Sequence, residues 1–282
     1  MRAKAPASSA NLGPGFDTLA LALGLYVEVE VREADVLTVT TEGEGADLPA
    51  DASHMAARVA TAVAGHDRLA IHVRSEIPVG RGLGSSAALA AAAAAAAGAP
   101  DPLAVAAEVD GHPENAAASV AGGLVSATMV DGHAVVSPLA LDDDLAFVVL
   151  IPDRLLATKE ARGALPADVP HADAAFNLGR MGLLLSGLAD ATRLRPEATD
   201  DRLHQQQRAP LYPEAAGLMA GLVEAGALAS CWSGAGPTLL GICRRASVAD
   251  VRQRGDELLT SHGVPGRSLV LDADRRGLTT TG

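Results

Sequence analysis

The stretch Pro78-Val79-Gly80-Arg81-Gly82-Leu83-Gly84-Ser85-Ser86-Ala87-Ala88 carries residue types suited to holding an anion. Gly80, Gly82 and Gly84 allow the backbone to turn tightly with its N–H groups pointing inward. Residues 87–97 are ten alanines and Leu89, close to the top of helix propensity, so Ser85 and Ser86 stand where a helix begins. Free N–H groups and the positive end of the helix dipole at that point favour a phosphate. The loop is not of the Walker type, which needs a lysine after its last glycine, because the only lysines are Lys4 and Lys159. The spacing does not fit GxGxxG either, which sets aside the dinucleotide and protein-kinase loops. On local sequence alone two readings stay open: a phosphate loop, or a glycine turn that caps a buried alanine helix.

The elements that would position this loop follow from hydrophobic period. In residues 25–31, Leu25, Val27, Val29 and Val31 fall on one face and Tyr26, Glu28 and Glu30 on the other, the pattern of a half-buried strand. Further strands are expected at 36–40, 69–75, 123–130, 146–151, 237–243 and 268–271. Helices are expected at 53–64, 86–97, 102–109, 172–190, 214–226 and 248–259. Early strands come in pairs instead of alternating with helices, which suggests α+β over a doubly wound parallel sheet. A boundary is expected near Ile151-Pro152-Asp153, dividing the chain into 1–151 and 152–282. A second glycine-rich turn, Ser233-Gly-Ala-Gly-Pro-Thr238, precedes the strand beginning at Leu239 and alone reads as an ordinary turn.

Composition narrows the class. With 282 residues, 49% hydrophobic and 20% charged, the chain has material for a sizeable core. A net charge of -12 argues against nucleic acid or an anionic membrane as partner, and 2% aromatics leaves few stacking platforms. Cys231 and Cys243 are too few and too far apart for a zinc ribbon or CxxC centre and read as buried reduced thiols. Pro6, Asn11, Gly13, Pro14 and Asp17 interrupt the place of an apolar secretory region, and the alanine tract is too short to span a bilayer. A cytoplasmic location is expected.

Three segments together say more than any one of them. Pro6-Ala-Ser-Ser-Ala-Asn-Leu-Gly-Pro-Gly-Phe-Asp17, the loop at 78–88, and Ser233–Thr238 occur in an order and spacing that resembles the GHMP kinase superfamily, and within it the homoserine kinase branch. The resemblance runs over essentially the whole chain. It implies an N-terminal α+β domain with a left-handed crossover, a C-terminal ferredoxin-like domain, ATP bound between them, and a homodimer. By the same resemblance, loop residues 78–88 would hold the ATP phosphates and Ser86 would reach a magnesium ion. Glu108 matches the glutamate that completes that metal site, making Ser86 and Glu108 the expected catalytic pair. Magnesium keeps waters and takes hard oxygen ligands, so one hydroxyl, one carboxylate and phosphate oxygens would suffice.

Gly111-His-Pro-Glu-Asn115 resembles the branch's GHPDN segment, which implies that His112 and Asn115 lie near an amino acid substrate, L-homoserine. Here the chain departs, with Glu114 for the usual aspartate, and the extra methylene speaks against a base role. Asn11 and Asp17 match substrate-contacting positions, Asp17 being an acceptor suited to an ammonium group. Arg162 and Arg208 match two arginines that hold the substrate carboxylate. At His54-Met-Ala the branch often has an asparagine-led segment near adenine, a second departure. The implied reaction is phosphoryl transfer from ATP to homoserine. The alternatives are another small-molecule kinase of the superfamily, acting on a sugar, mevalonate or threonine, or a non-catalytic ligand-binding regulator on the same scaffold.

Overall fold

The computed structural model describes residues 1–281 and sorts the strands into two sheets. The chain opens with β1 (Arg2–Ala10), β2 (Leu19–Glu33) and β3 (Thr38–Gly43), then α1 (Met55–Ala64), β4 (Leu69–Ser75) and α2 (Ser85–Ala96). Next come α3 (Pro102–Asp110), α4 (Pro113–Ala121) and the hairpin of β5 (Leu124–Val130) and β6 (His133–Leu139). The second half runs β7 (Leu145–Pro152), α5 (Thr158–Gly163), α6 (His171–Ala189), α7 (Gln205–Arg208), α8 (Ala215–Glu224) and β8 (Ala229–Trp232). It closes with β9 (Leu239–Arg244), α9 (Val248–Ser261), β10 (Gly266–Leu271) and β11 (Thr279–Thr281).

The first sheet has seven strands, ordered β11-β1-β2-β4-β3, with β5 pairing both β2 and β6. Only β3 and β4 pair in parallel, joined through α1, and the other ladders are antiparallel. The second sheet is antiparallel with the order β10-β7-β9-β8. Numbered within this half, that order is 4-1-3-2 with helices before the second and fourth strands, the ferredoxin-like arrangement expected from the resemblance. The expected boundary after residue 151 needs correction at one element. β7, assigned from sequence to the first domain, hydrogen-bonds into the second sheet, and β11 returns from the C-terminus to pair with β1. Strand pairing is non-local, so the apolar run 145–151 could not by itself say which sheet would take it.

Side-chain size explains the layers around the cleft. In β2 the valines at 27, 29 and 31 are buried as their alternation required, but the strand begins earlier because Leu19–Leu23 is covered on both faces. Leu19, Leu21 and Leu23 join the main core, while Ala20 and Ala22 face a smaller cluster with Ala117, Ala118 and Val125. The helix α2 has no polar face: Ala87, Ala88 and Ala90–Ala96 are all buried. Such a helix belongs inside a layer, and methyl side chains let the sheet and α1, α3 and α4 approach it closely. A larger residue on it would overpack by about 1–3 kcal/mol. The practical consequence is a rigid rod whose N-terminus is held at the cleft. Cys231 and Cys243 are buried free thiols, and burial pushes each up to about 12, so both stay protonated and inert.

Candidate active site

Between the two sheets lies a cleft of about 430 Å³. Its walls come from the loop after β1, the glycine loop before α2, the start of α4, the segment around α5, and the turns carrying Arg208 and Gly234. Gly80, Gly82 and Gly84 all have positive φ, at 68°, 78° and 64°. At two of them the close approach is to protein: a Cβ on Gly82 would meet the backbone oxygens of Ser233 and Gly236, and one on Gly84 would meet the Ser8 hydroxyl. The three segments singled out from sequence are therefore packed on one another. Gly84 caps α2 in the left-handed conformation without any side-chain cap, and the first intrahelical bond, from Ala88 N to Gly84 O, leaves the N–H groups of the cleft-lining Ser85 and Ser86 without a helical partner. The Ser86 hydroxyl makes only a 3.6 Å contact to the Met55 sulfur and is free to turn to a ligand.

The opposite end is charged. Arg162 meets Asp17 with both terminal nitrogens, Nη2–Oδ1 at 2.6 Å and Nη1–Oδ2 at 3.2 Å. Arg208 is 1% exposed: its Nε donates to the Ala161 carbonyl at 3.3 Å, and its Nη1 contacts Gly234 O at 3.1 Å and His204 Nδ1 at 3.0 Å. Burial, then the neighbouring Arg162, lower it to about 10, which leaves it charged at neutral pH. Both guanidinium carbons lie 5.6 Å from the Phe16 ring centre. The arginine pair is thus brought together as the sequence suggested, but Arg162 is turned onto Asp17, so in this structure the two do not form one fork. Asn11 lines the cleft, yet its amide is engaged with protein: Nδ2 donates to Gly234 O at 2.9 Å and Oδ1 accepts from Asp17 N at 3.0 Å. It fastens the Asn11–Asp17 loop to the turn at Gly234, which explains its positive φ of 71°.

Between these ends stand His112, Glu114 and Asn115 on the first turn of α4 and Asp110 at the end of α3. Asn115 Oδ1 accepts from the Ser8 hydroxyl at 2.9 Å, which orients the amide and leaves its NH2 to donate. His112 is lowered by burial and by Arg162. Glu114 is 3% exposed, its Oε2 has no partner, and burial raises it to about 7, aided by Asp17 and Asp110. Burial raises Asp110 to about 6.

Glu108 requires a correction. It is exposed and borders a separate hollow with Asp101, Met129 and His133, outside the cleft walls. The reason is helical period: Ala106 and Ala107 are the buried face of α3, and Asp110 follows at i+4 and i+3 on that face, whereas Glu108 is turned about 200° from Asp110. Applied to Ala106-Ala107-Glu108-Val109-Asp110, that period was the signal by which Asp110 could have been chosen. His204 gave no such signal, since the Gly13 carbonyl that its ring meets is remote in sequence.

A magnesium ion suits this donor set in part. Among the described residues no three His, Cys, Asp or Glu side chains form a metal cage. The Ser86 hydroxyl and the half-buried Asp110 carboxylate, neither bonded to another protein oxygen, are hard donors that line the glycine loop's cleft and would share a cation with phosphates.

Comparison with known proteins agrees with this geometry. Residues 50–123 match the family described as GHMP kinases N terminal domain, and residues 175–259 match GHMP kinases C terminal. Homoserine kinase of Streptomyces avermitilis is 42% identical over 97% of this chain and 93% of its own length. That of Moorella thermoacetica is 40% identical over 86% of each. Among solved structures, a putative homoserine kinase from Listeria monocytogenes superposes with a TM-score of 0.78 at 27% identity, covering 99% of this chain and 98% of that one. The homoserine kinase of Cytophaga hutchinsonii reaches a TM-score of 0.85 at 24% identity over 99% and 96%, a likeness of fold. The chain belongs to the GHMP kinases and, within them, to the homoserine kinases.

Proposed function

We propose that the protein transfers the γ-phosphoryl group of ATP to the side-chain hydroxyl of L-homoserine, giving O-phospho-L-homoserine and ADP, a step of threonine biosynthesis. The observation that carries this reading is the polarity of one cleft: uncapped helix N–H groups behind three positive-φ glycines at one end, and Arg208, Arg162 and Asp17 at the other. The first end suits a polyphosphate, with Leu48, Pro49, Met55 and Leu89 forming an apolar wall for the base. His54, the departure noted near adenine, caps α1 through Nδ1, which accepts from Ala56 N at 3.2 Å. The second end suits an α-amino acid, whose carboxylate matches guanidinium donors and whose ammonium matches Asp17. Binding at that end would draw Arg162 partly away from Asp17, exchanging a protein ion pair for two contacts with the substrate.

In the transfer, the substrate oxygen bonds to the γ-phosphorus as the bond to the β-bridging oxygen breaks, and ADP leaves. Catalysis of this kind is positioning plus charge stabilisation. Ser86 and Asp110 would hold magnesium, which neutralises charge on the transferring group. Asn115 offers its NH2 to the reacting hydroxyl. Glu114, which lines the same cleft and whose buried Oε2 has no partner, would take up the proton the hydroxyl loses. Its longer side chain argued against this role from sequence; its place on the first turn of α4 among the cleft-lining residues supports it. A homodimer and a cytoplasmic location accompany the proposal, and no helix among the described residues is long and apolar enough to cross a membrane. A coupled ADP-release assay over homoserine, homoserinol, threonine, mevalonate and galactose tests it. Turnover with homoserine at least tenfold above the others is expected, and a preference for a substrate lacking the amino acid group would sink the assignment.

A further inference from the structure

His204 has no part in the chemistry above, yet it is 0% exposed and sits directly behind Arg208. It precedes the four-residue α7, and Asp201 holds the backbone there: Oδ2 accepts from His204 N at 2.8 Å and from Gln205 N at 2.6 Å. Asp201 Oδ1 is held in turn by Asn177 Nδ2 at 2.7 Å, and the imidazole stacks on Phe16 with centroids 5.2 Å apart. The ring's two hydrogen bonds determine its tautomer, with Asp201 Oδ2 a further contact at 3.7 Å from Nε2. Nε2 lies 2.8 Å from the Gly13 carbonyl, which can only accept, so Nε2 carries the proton. Nδ1 is then a bare lone pair, and it accepts from Arg208 Nη1 at 3.0 Å. Burial lowers the ring to about 4, in keeping with a neutral imidazole.

Arg208 therefore has Nε on Ala161 and Nη1 shared between Gly234 and His204, with Nη2 left for the cleft. The Gly13 carbonyl belongs to the loop that carries Asn11 and Asp17. One imidazole thus links the first domain's loop to the guanidinium of the second. We infer that His204, in its Nε2–H tautomer, is a positioning residue that aims Arg208 into the cleft in register with the Asn11–Asp17 loop and so sets affinity for the substrate carboxylate. The inference rests on the amino acid reading of this end of the cleft.

Two substitutions separate the ring's two contacts. In His204→Asn the amide oxygen occupies the place of Nδ1 and still accepts from Arg208. In His204→Gln the amide nitrogen occupies the place of Nε2, donating to Gly13 while Arg208 loses its acceptor. Loss of a hydrogen bond to a charged group is expected to raise the homoserine KM of the Gln variant roughly tenfold, with the ATP KM within about twofold of wild type and the Asn variant recovering most of the loss. An unchanged homoserine KM in a folded Gln variant, or equal losses in both variants, would overturn the inference. A second readout needs no turnover: 15N NMR of histidine-labelled wild-type protein, with His204 assigned through its backbone, should show an Nε2–H imidazole that stays neutral at pH 6. An Nδ1–H or doubly protonated ring would refute the inference even if homoserine is the substrate. A correct ring on a protein that does not turn over homoserine would refute the substrate reading alone.

Discussion

At the end of the cleft formed by residues 79–86, polar groups come from backbone N–H, set by three positive-φ glycines and the start of one helix. At the end formed by Asp17, Arg162 and Arg208, they come from side chains on segments far apart in the chain, Asp17 and Arg162 fixed by each other and Arg208 by Ala161, His204 and Gly234. The first end has no room for an added Cβ at Gly82 or Gly84. The second depends on side-chain geometry, where even a like-charged replacement changes the donors on offer. Asp110 and Glu114 stand between the two and belong to neither type, being carboxylates that burial holds near neutrality.

The sharpest way to break this contrast is through Asp110. Asp110→Asn is expected to lower kcat by roughly 100-fold to 1000-fold by removing charge stabilisation from the phosphate side, while exposed Glu108→Gln should stay within about twofold. Steady-state kinetics on both variants, at limiting and saturating magnesium, decides between them. A severe loss in Glu108→Gln with an active Asp110→Asn would restore the original assignment. Next comes the backbone end: Gly84→Val pushes a β-branched residue into positive φ against Ser8, and should cost about 2–4 kcal/mol of stability or an equivalent loss of ATP affinity. Thermal melts with and without ATP would separate the two. An unaltered melt and unaltered ATP binding would mean the loop can move away from Ser8.

Arg208→Lys tests the side-chain end. It keeps the charge but loses the fork, so kcat/KM for homoserine should fall about tenfold to a hundredfold while the ATP KM changes little. Homoserinol, which has no carboxylate, should be poor with wild type and lose much less in the variant. Equal losses for both substrates would show that Arg208 does not read the carboxylate.

The last effect concerns Glu114 and pH. Its carboxyl is raised from 4.5 to about 7, so between those values the folded chain holds a proton that the unfolded chain has released. Stability from this group is thus present below pH 4.5 and lost as pH rises through 7. Glu114→Gln should therefore gain stability relative to wild type as pH goes from 4.5 to 8, by up to about 2–3 kcal/mol. Urea unfolding of the ligand-free proteins across that range measures it, and a difference independent of pH would mean that Glu114 titrates as an ordinary carboxyl.

Much of the cleft was legible because its determinants are local. Gly80, Gly82, Gly84 and the alanine tract specify a turn and a helix within about twenty residues, and the 25–31 alternation specified a strand face. The strands and helices missed or shortened were those whose character comes from contacts. β1 carries Lys4, Ser8 and Ser9 in place of an apolar run, yet it pairs along its length with β2, with Ser8 and Ser9 buried. β8 is four residues long and is a strand only because β9 pairs it.

Sequence alone determined the glycine turn and the alanine helix after it, the α+β class, the buried cysteines and, through three motifs in order, the family. Propensity, periodicity and turn chemistry act over a few residues, so these features needed no knowledge of remote partners. Only the tertiary structure decided that Asp110 faces the cleft and Glu108 does not, that β7 joins the second sheet, and that Arg162 turns onto Asp17. The same holds for His204 Nε2 meeting the Gly13 carbonyl. Each depends on which groups are brought together and desolvated when distant segments meet. Hydrogen-bond and charge energies are set by that meeting, not by neighbours in the chain.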